Sequence, residues 1–406
     1  MKKPKQKAKI LAVGEAYSHT GFSRVMHSLL DPLKSRYEFH LLAINHSYDF
    51  EYDYPIYGKT IAGDVDGICR LEQLVLSIKP NIVFIAYEPR ISGFYTEMLN
   101  KYKKELKVIV YCAIEGEFKR YETVERLSNA DHIAVFTQAA RNALKNSETI
   151  LCKKNKSFKL PQISIIPHGI NTSSFHPLYP GKKGIIKSRN ASRKKLFTRK
   201  PELLNSFIVF NGNRNIPKKC IDRTIEAFAH FSYSLPEEVY LWLHMEQESG
   251  GYDIKGLTEK YGIYERLILT TDCETHPNVD DRYLNLIYNA CDVGINTSVA
   301  EGWGLVSFEH GATCAAQIVP ENIVCKEIWS NSALMVEIDE KEYSPAYLSS
   351  KEEVISVKSA IKALESFYKD KKKLYDFSFL AYQNSLKYNW DNIAEKIGSL
   401  FDYFSN

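Results

Sequence analysis

Two glutamates, Glu301 and Glu309, stand eight positions apart in the stretch CDVGINTSVAEGWGLVSFEHGA, residues 291–312. That spacing is wrong for a pair on one helical face. It suits a loop carboxylate and a carboxylate in the first turns of a helix, flanking one ligand. Asp292 to Asn296 reads as a buried strand, and a helix is expected from about Gly304 or Leu305. Between them, Gly302 and Gly304 let the backbone come close where a Cβ would obstruct. A strand, a glycine-punctuated turn and a helix start aim unpaired N–H groups and the positive end of a helix dipole at one point. Phosphate is the natural occupant.

Such a turn needs a parallel sheet behind it. The first half of the chain supplies short apolar runs separated by helical patterns: KILAVG from Lys9, HLLAIN from His40, NIVFIA from Asn81, KVIVYCA from Lys107, HIAVFT from His132 and QISIIP from Gln162. Runs of this kind are strands covered on both faces, so the first domain is predicted to be a doubly wound α/β sheet. Gly21 opens a helical run, Phe22 to Leu30, after the first strand, at the carboxyl end where ligands gather. The loops after the third and fourth strands, with Glu88 and Arg90 and with Glu115 and Glu117, face the same way and are candidates for contact with a second substrate. SFIVFNG from Ser206, VYLWLHM from Val239 and RLILT from Arg266 predict a second sheet, and Gln317 to Val319 another short strand of it.

With 406 residues the chain suits two domains. Its 44% hydrophobic and 25% charged residues describe a globular protein, and a net charge of +4 does not call for nucleic acid. The charge is concentrated: residues 182–200 hold nine Lys or Arg and no acid, either a solvated face or a surface drawn to anionic membranes, with a helix near Ala191 to Phe197. Eight cysteines without a C-x2-C spacing favour reduced thiols and a cytoplasmic setting. The start of the chain imitates a signal peptide only until Glu15, and no run is long enough to span a bilayer. His168 and His176 lack a carboxylate or thiol constellation and read as structural. The pair Asp64 and Asp66 precedes a helix, away from the phosphate turn, so no metal is expected.

EGWGLVSFE resembles the EGFGLxxxE signature, Glu-x7-Glu, of retaining glycosyltransferases of family 4. The likeness extends along most of the chain. NRNIPKKC is similar to the family's GR-x-x-x-x-KG element, which puts Arg214 on its Arg and Lys219 on its Lys, with Cys220 in place of Gly. IIPHGINTSSFHP, residues 165–177, is similar to its strand-to-linker element, and SLKYNWDNIAEKI, around Trp390, to its C-terminal helix.

The resemblance implies a GT-B architecture: two Rossmann-like domains, 1–178 for the acceptor and 179–385 for the nucleotide sugar, facing across a cleft, with 386–406 a helix crossing back to the first. It implies Glu301 on the hydroxyls of the transferred sugar and Glu309 on the nucleotide ribose. It also implies phosphates on the backbone near Gly304 and Leu305, Arg214 and Lys219 clamping the departing diphosphate, and Gly21, Gly302 and Trp303 in the donor site. The donor base is expected near Thr271, held largely by backbone.

The expected activity is therefore metal-independent, retaining transfer of a hexose from a nucleotide diphosphate sugar, of GDP-mannose or UDP-glucose type, to a hydroxyl of a glycan or lipid-linked saccharide. No cofactor is expected besides that donor. A nucleotide-sugar epimerase and a degenerate sugar-nucleotide-binding scaffold are the alternatives.

Overall fold

In a computed structural model the chain is described at residues 7–16, 20–59, 63–64, 66–236, 238–247, 250–271, 275–340 and 353–405. It divides into two compact units, Met1–Gly169 with Trp390–Asn406, and Ile170–Asn389.

In unit 1 the chain runs β1 (Lys9–Gly14), α1 (Gly21–Leu30), β2 (Glu38–Ala43), β3 (Phe50–Glu51), β4 (Pro55–Gly58), α2 (Ile68–Ile78), β5 (Ile82–Ala86), α3 (Pro89–Leu99), β6 (Lys107–Cys112), α4 (Glu122–Leu127), β7 (His132–Val135), α5 (Gln138–Lys154) and β8 (Gln162–Ile165). The sheet order is β3-β4-β2-β1-β5-β6-β7-β8, parallel except for the β3–β4 pair. Strand order reverses beside β1, so the loops after β1 and β5 border the crevice of this sheet. β5 is buried along its whole length, as a strand covered on both faces must be. Helix α1 starts because Thr20 accepts the Ser23 amide.

Unit 2 runs α6 (Ile185–Leu196), β9 (Phe207–Asn211), α7 (Ile221–Ser232), β10 (Val239–Leu243), α8 (Ile254–Lys260), β11 (Leu267–Leu269), α9 (Asp281–Ala290), β12 (Val293–Ile295), α10 (Leu305–Ala312), β13 (Ala316–Pro320), α11 (Ile323–Trp329), β14 (Leu334–Val336), β15 (Ile338–Glu340), β16 (Glu353–Ile355), α12 (Val357–Lys369) and α13 (Lys371–Ser385). Its main sheet, β11-β10-β9-β12-β13-β14, is wholly parallel and reverses order between β9 and β12. The last helix, α14 (Trp390–Ser405), belongs to unit 1. There Arg36 grips Glu395 at 2.6 Å and Asp402 at 2.8 Å, and the Phe401 ring packs on Phe84. Gly169 is kept bare by this helix, since a Cβ would fall 2.7 Å from the Trp390 ring.

The Tyr-rich segment after β2 contributes two short strands, β3 at the sheet edge and β4 beside it. After residue 352 the chain opens with β16, paired antiparallel with β15. One expectation changes: 182–200 is not one exposed face. Its helix α6 begins at Ile185 and turns Ser188, Arg189, Ser192 and Arg193 inward. Arg189 and Arg193 bind the two oxygens of Asp292 at 3.0 and 2.7 Å, with all three side chains under 10% exposed. Hydrophobic periodicity could not reveal the inward face of this helix, because after Ile185 its buried stripe is made of serines and arginines. Asp292 also accepts the Ile208 amide. Burial opposes its charge, but the two guanidiniums and that amide outweigh burial and hold its carboxyl below the ordinary aspartate value.

Candidate functional site

Reversal of strand order in unit 2 opens a gap between the loops after β9 and β12, and a polar network fills it. Asn211 donates to Thr224 at 2.8 Å, and Thr224 meets Thr297 at 2.9 Å. Asn213 reaches the side chains of Asn211 and Asn296. The loop after β12 is tied down when Thr297 Oγ1 approaches the carbonyls of Lys219 and Cys220 at 2.8 and 2.9 Å, and the Val299 amide donates to Lys218. These bonds bring Lys219, on a single 3-10 turn before α7, to the residues that follow β12.

Glu301 lies at the centre. Its Oε1 accepts from Lys219 Nζ at 2.5 Å, Ser298 Oγ at 2.8 Å and Asn296 Nδ2 at 3.2 Å. Although the residue is only 6% exposed, its carboxyl is held below the ordinary glutamate value: burial pushes upward, and the charge and hydrogen bond of Lys219 with the Ser298 hydroxyl push further down. Among the described residues, Oε2 has no hydrogen-bond partner. An ionised, immobilised carboxylate with one oxygen left over can accept a hydroxyl from a ligand.

Gly304 takes a left-handed conformation, φ 87° and ψ 55°, and opens α10. For a residue with a side chain that conformation costs roughly 1–2 kcal/mol. Gly304→Ala is therefore expected to leave the protein folded yet weaken nucleotide binding by several-fold, read as a smaller ligand-induced thermal shift. Leu305 opens the first turn, half-buried. Gly302 is buried, and Trp303 turns its ring inward against Phe308 and Tyr388, at 5.3 and 5.1 Å. Trp303 can thus offer a ligand its backbone, while its side chain packs. Glu309, also 6% exposed, accepts from Tyr288 Oη at 3.1 Å, and Tyr288 is wedged between Phe175 and Phe210.

The Arg214 side chain is exposed and, among the described residues, makes no hydrogen bond or ion pair. Its charge is felt at Glu246, beyond the carboxyl end of β10. Glu246 is 2% exposed and pairs with His276 at 2.8 Å. Burial opposes its ionisation, but that hydrogen bond and the nearby positive charges keep its carboxyl below the ordinary value. In the segment expected to meet the base, residues 272–274 lie outside the described residues.

In unit 1, Gly21 is exposed at the start of α1. Glu88 and Arg90 are exposed at the start of α3, and Glu115 is half-buried. Glu117 is committed to Asn146 of α5 at 2.9 Å. The structure brings together a different group at the strand ends. Tyr87 donates to Glu15 at 3.3 Å, Thr20 bonds the other Glu15 oxygen, and the Phe22 ring stacks obliquely 5.0 Å from Tyr87. Burial and the carboxylates of Glu15 and Glu88 push the Tyr87 hydroxyl well above its ordinary value, so it stays a donor.

Sequence reasoning missed this group, along with Asn296, Ser298 and Glu246. The signal for the first pair was their place between strand and glycine turn. Glu15 and Tyr87 could have been found because each directly follows a strand that flanks the order reversal. His168, read as structural, is buried against Tyr111 at 2.7 Å, and burial lowers its pKa to about 3. Among the described residues no group of His, Cys, Asp or Glu is arranged to hold a metal ion, and no helix is long and apolar enough to cross a membrane.

No protein-family model matches the chain, and no curated protein matches it in sequence. Solved structures do. Sucrose-phosphate synthase from Thermosynechococcus elongatus superposes with a TM-score of 0.73 at 16% identity, over 98% of this chain and 99% of that one. A trehalose-6-phosphate protein from E. coli, bound with UDP-2-fluoro glucose, gives 0.71 at 13% identity over 98% and 99%. The fold is GT-B. HepE of Anabaena, in complex with UDP, gives 0.67 at 12% identity over 97% of this chain and all of that one. At such identities the likeness is one of fold: the neighbours include synthases of the trehalose-6-phosphate and sucrose-phosphate kind, and the family-4 resemblance is not shown by them.

Proposed function

We propose that the chain is a retaining, metal-independent glycosyltransferase, moving a hexose from a nucleotide diphosphate sugar to a hydroxyl of a saccharide acceptor. One observation carries the reading: the buried carboxylate of Glu301, fixed by Lys219, Ser298 and Asn296, keeps one oxygen without a partner among the described residues, beside a left-handed glycine at a helix start.

In this reading Glu301 Oε2 accepts a hydroxyl of the transferred sugar and holds its anomeric carbon in place. The bond from that carbon to the β-phosphate oxygen breaks, and the leaving diphosphate gains negative charge. Lys219 lies against Glu301 already and can share its charge with the phosphate. Arg214, uncommitted, can take phosphate oxygens two at a time. The first amides of α10 complete the anion site. Fixed charges of this kind stabilise the developing anion without reorganising water. The acceptor oxygen forms its bond on the face the phosphate leaves, and its proton passes to the departing phosphate oxygen. Glu309 accepts the ribose hydroxyls.

Two neighbours hold UDP or a UDP-sugar analogue, which supports a UDP-hexose as the first donor to test. A nucleoside diphosphate at a hundred times its dissociation constant is expected to stabilise the protein by about 2.7 kcal/mol, seen as a raised melting temperature. Transfer is expected to persist in EDTA. Absence of any nucleotide shift, or loss of transfer in chelator with rescue by manganese, would overturn the assignment.

A further inference from the structure

The net charge of this protein sits in one place. Outside 182–200 the chain carries 44 basic and 49 acidic residues, so the nine cations of that stretch account for more than the whole excess. Arg189 and Arg193 are committed inside to Asp292, and the other seven, Lys182, Lys183, Lys187, Lys194, Lys195, Arg199 and Lys200, are exposed. On α6 the outward stripe is Ile186, Lys187, Asn190 and Lys194, spaced as one helical face. Ile186 is 49% exposed, an isoleucine placed among lysines. Tyr179 is 47% exposed, and its amide bonds Ser188 of the same helix. Lys182 shares Asp376 with Lys372 of α13, so that carboxylate is already neutralised and the positive surface continues onto the start of α13.

The donor site does not account for these charges. Arg193 donates to the carbonyls of Ala290, Leu204 and Ser206, which precede β12 and β9. That is the amino end of the sheet, whereas Glu301 and Gly304 lie beyond its carboxyl end. A surface with many flexible cations, two exposed amphipathic or apolar side chains and no acid within residues 182–200 matches a charged plane of headgroups with an apolar layer beneath it.

We infer that the outward face of α6, with Tyr179 and the flanking lysines, docks this protein on an anionic lipid bilayer. This goes beyond the glycosyltransferase reading and does not depend on it. Lysine stems place their charges among the headgroups while Ile186 and Tyr179 reach the interface. The buried Arg189–Asp292–Arg193 triad anchors the helix from behind, so the cations are presented on a rigid support.

The test is flotation of the whole protein with vesicles of mixed phosphatidylglycerol and phosphatidylcholine, and with phosphatidylcholine alone. Binding is expected only to the anionic vesicles and to fall steeply with salt. Combined Lys187→Gln and Lys194→Gln should lower the partition coefficient about thirty-fold, two charges at roughly five-fold each. Ile186→Asp should lower it as well. Both variants should keep the wild-type melting curve and nucleotide response, since neither touches the core or the donor site. Equal flotation with neutral vesicles, or a double variant that floats like wild type, would sink the proposal. So would a preference for soluble heparin over vesicles that Ile186→Asp leaves unchanged, which would make the patch a polyanion site. A protein that floats as expected but ignores every nucleotide would leave this inference standing while removing the catalytic reading.

Discussion

Glu301→Gln is expected to lower kcat/KM by about a hundred- to a thousand-fold, the usual scale for losing one preorganised polar contact to a transition state. Glutamine keeps the shape and can still accept from Ser298 and Asn296, so the protein should fold. What it loses is the negative charge that fixes Lys219 and the strong acceptor for the sugar. Glu301→Ala should do worse for a second reason. It strands a Lys219 ammonium that is 13% exposed, and breaking a buried pair from one side costs roughly 3–5 kcal/mol. Comparing the two variants by kinetics and by denaturant unfolding separates chemistry from stability. Wild-type kcat in the glutamine variant would remove Glu301 from the reaction.

The pair has a pH signature. Because Glu301 titrates below its ordinary value of 4.5 in the folded chain, its contribution to stability is complete above that pH and is lost as pH falls through the lower folded value. Lys219→Met should reverse the sign. An unpaired buried carboxylate titrates upward, so this variant should be weakened most near neutrality and lose less than wild type on acidification.

The largest effect on stability is expected at Asp292. Removing its carboxylate in Asp292→Ala leaves two guanidiniums buried with no counter-charge, and the Ile208 amide without its acceptor. Loss of about 3–5 kcal/mol follows, which for a unit of this size lowers the melting temperature by roughly 10 °C. Asp292→Asn should recover little, since an amide supplies one acceptor and no charge. Here too the carboxyl titrates below its ordinary value, 3.8, so the triad stabilises fully above that pH and fails in stronger acid. A melting temperature within a degree or two of wild type would show that water reaches the arginines. Activity lost in proportion to unfolded fraction, and no further, would confine Asp292 to a structural role.

Part of the fold is legible in residue order alone. Strands β1, β5, β6 and β9 announce themselves because a strand buried on both faces has to be apolar throughout. The left-handed turn at Gly304 announces itself because few other residues tolerate that conformation. Strands β3 and β4 and the inward face of helix α6 are hidden for the opposite reason. Their buried sides are short, or are made of Ser and Arg whose partners lie some hundred positions away.

Residue type and local spacing determined which segments would become strands, where the glycine turn would fall, and that two carboxylates would flank it. Those outcomes depend on neighbours within a few positions. Only tertiary structure decided that Lys219 would meet Glu301 across 82 residues, that two of nine clustered cations would turn inward to Asp292, and that Glu15 would find Tyr87. Pairings of that kind are chosen by which loops the sheet brings side by side at its order reversal, and by the cost of burying any charge without its opposite.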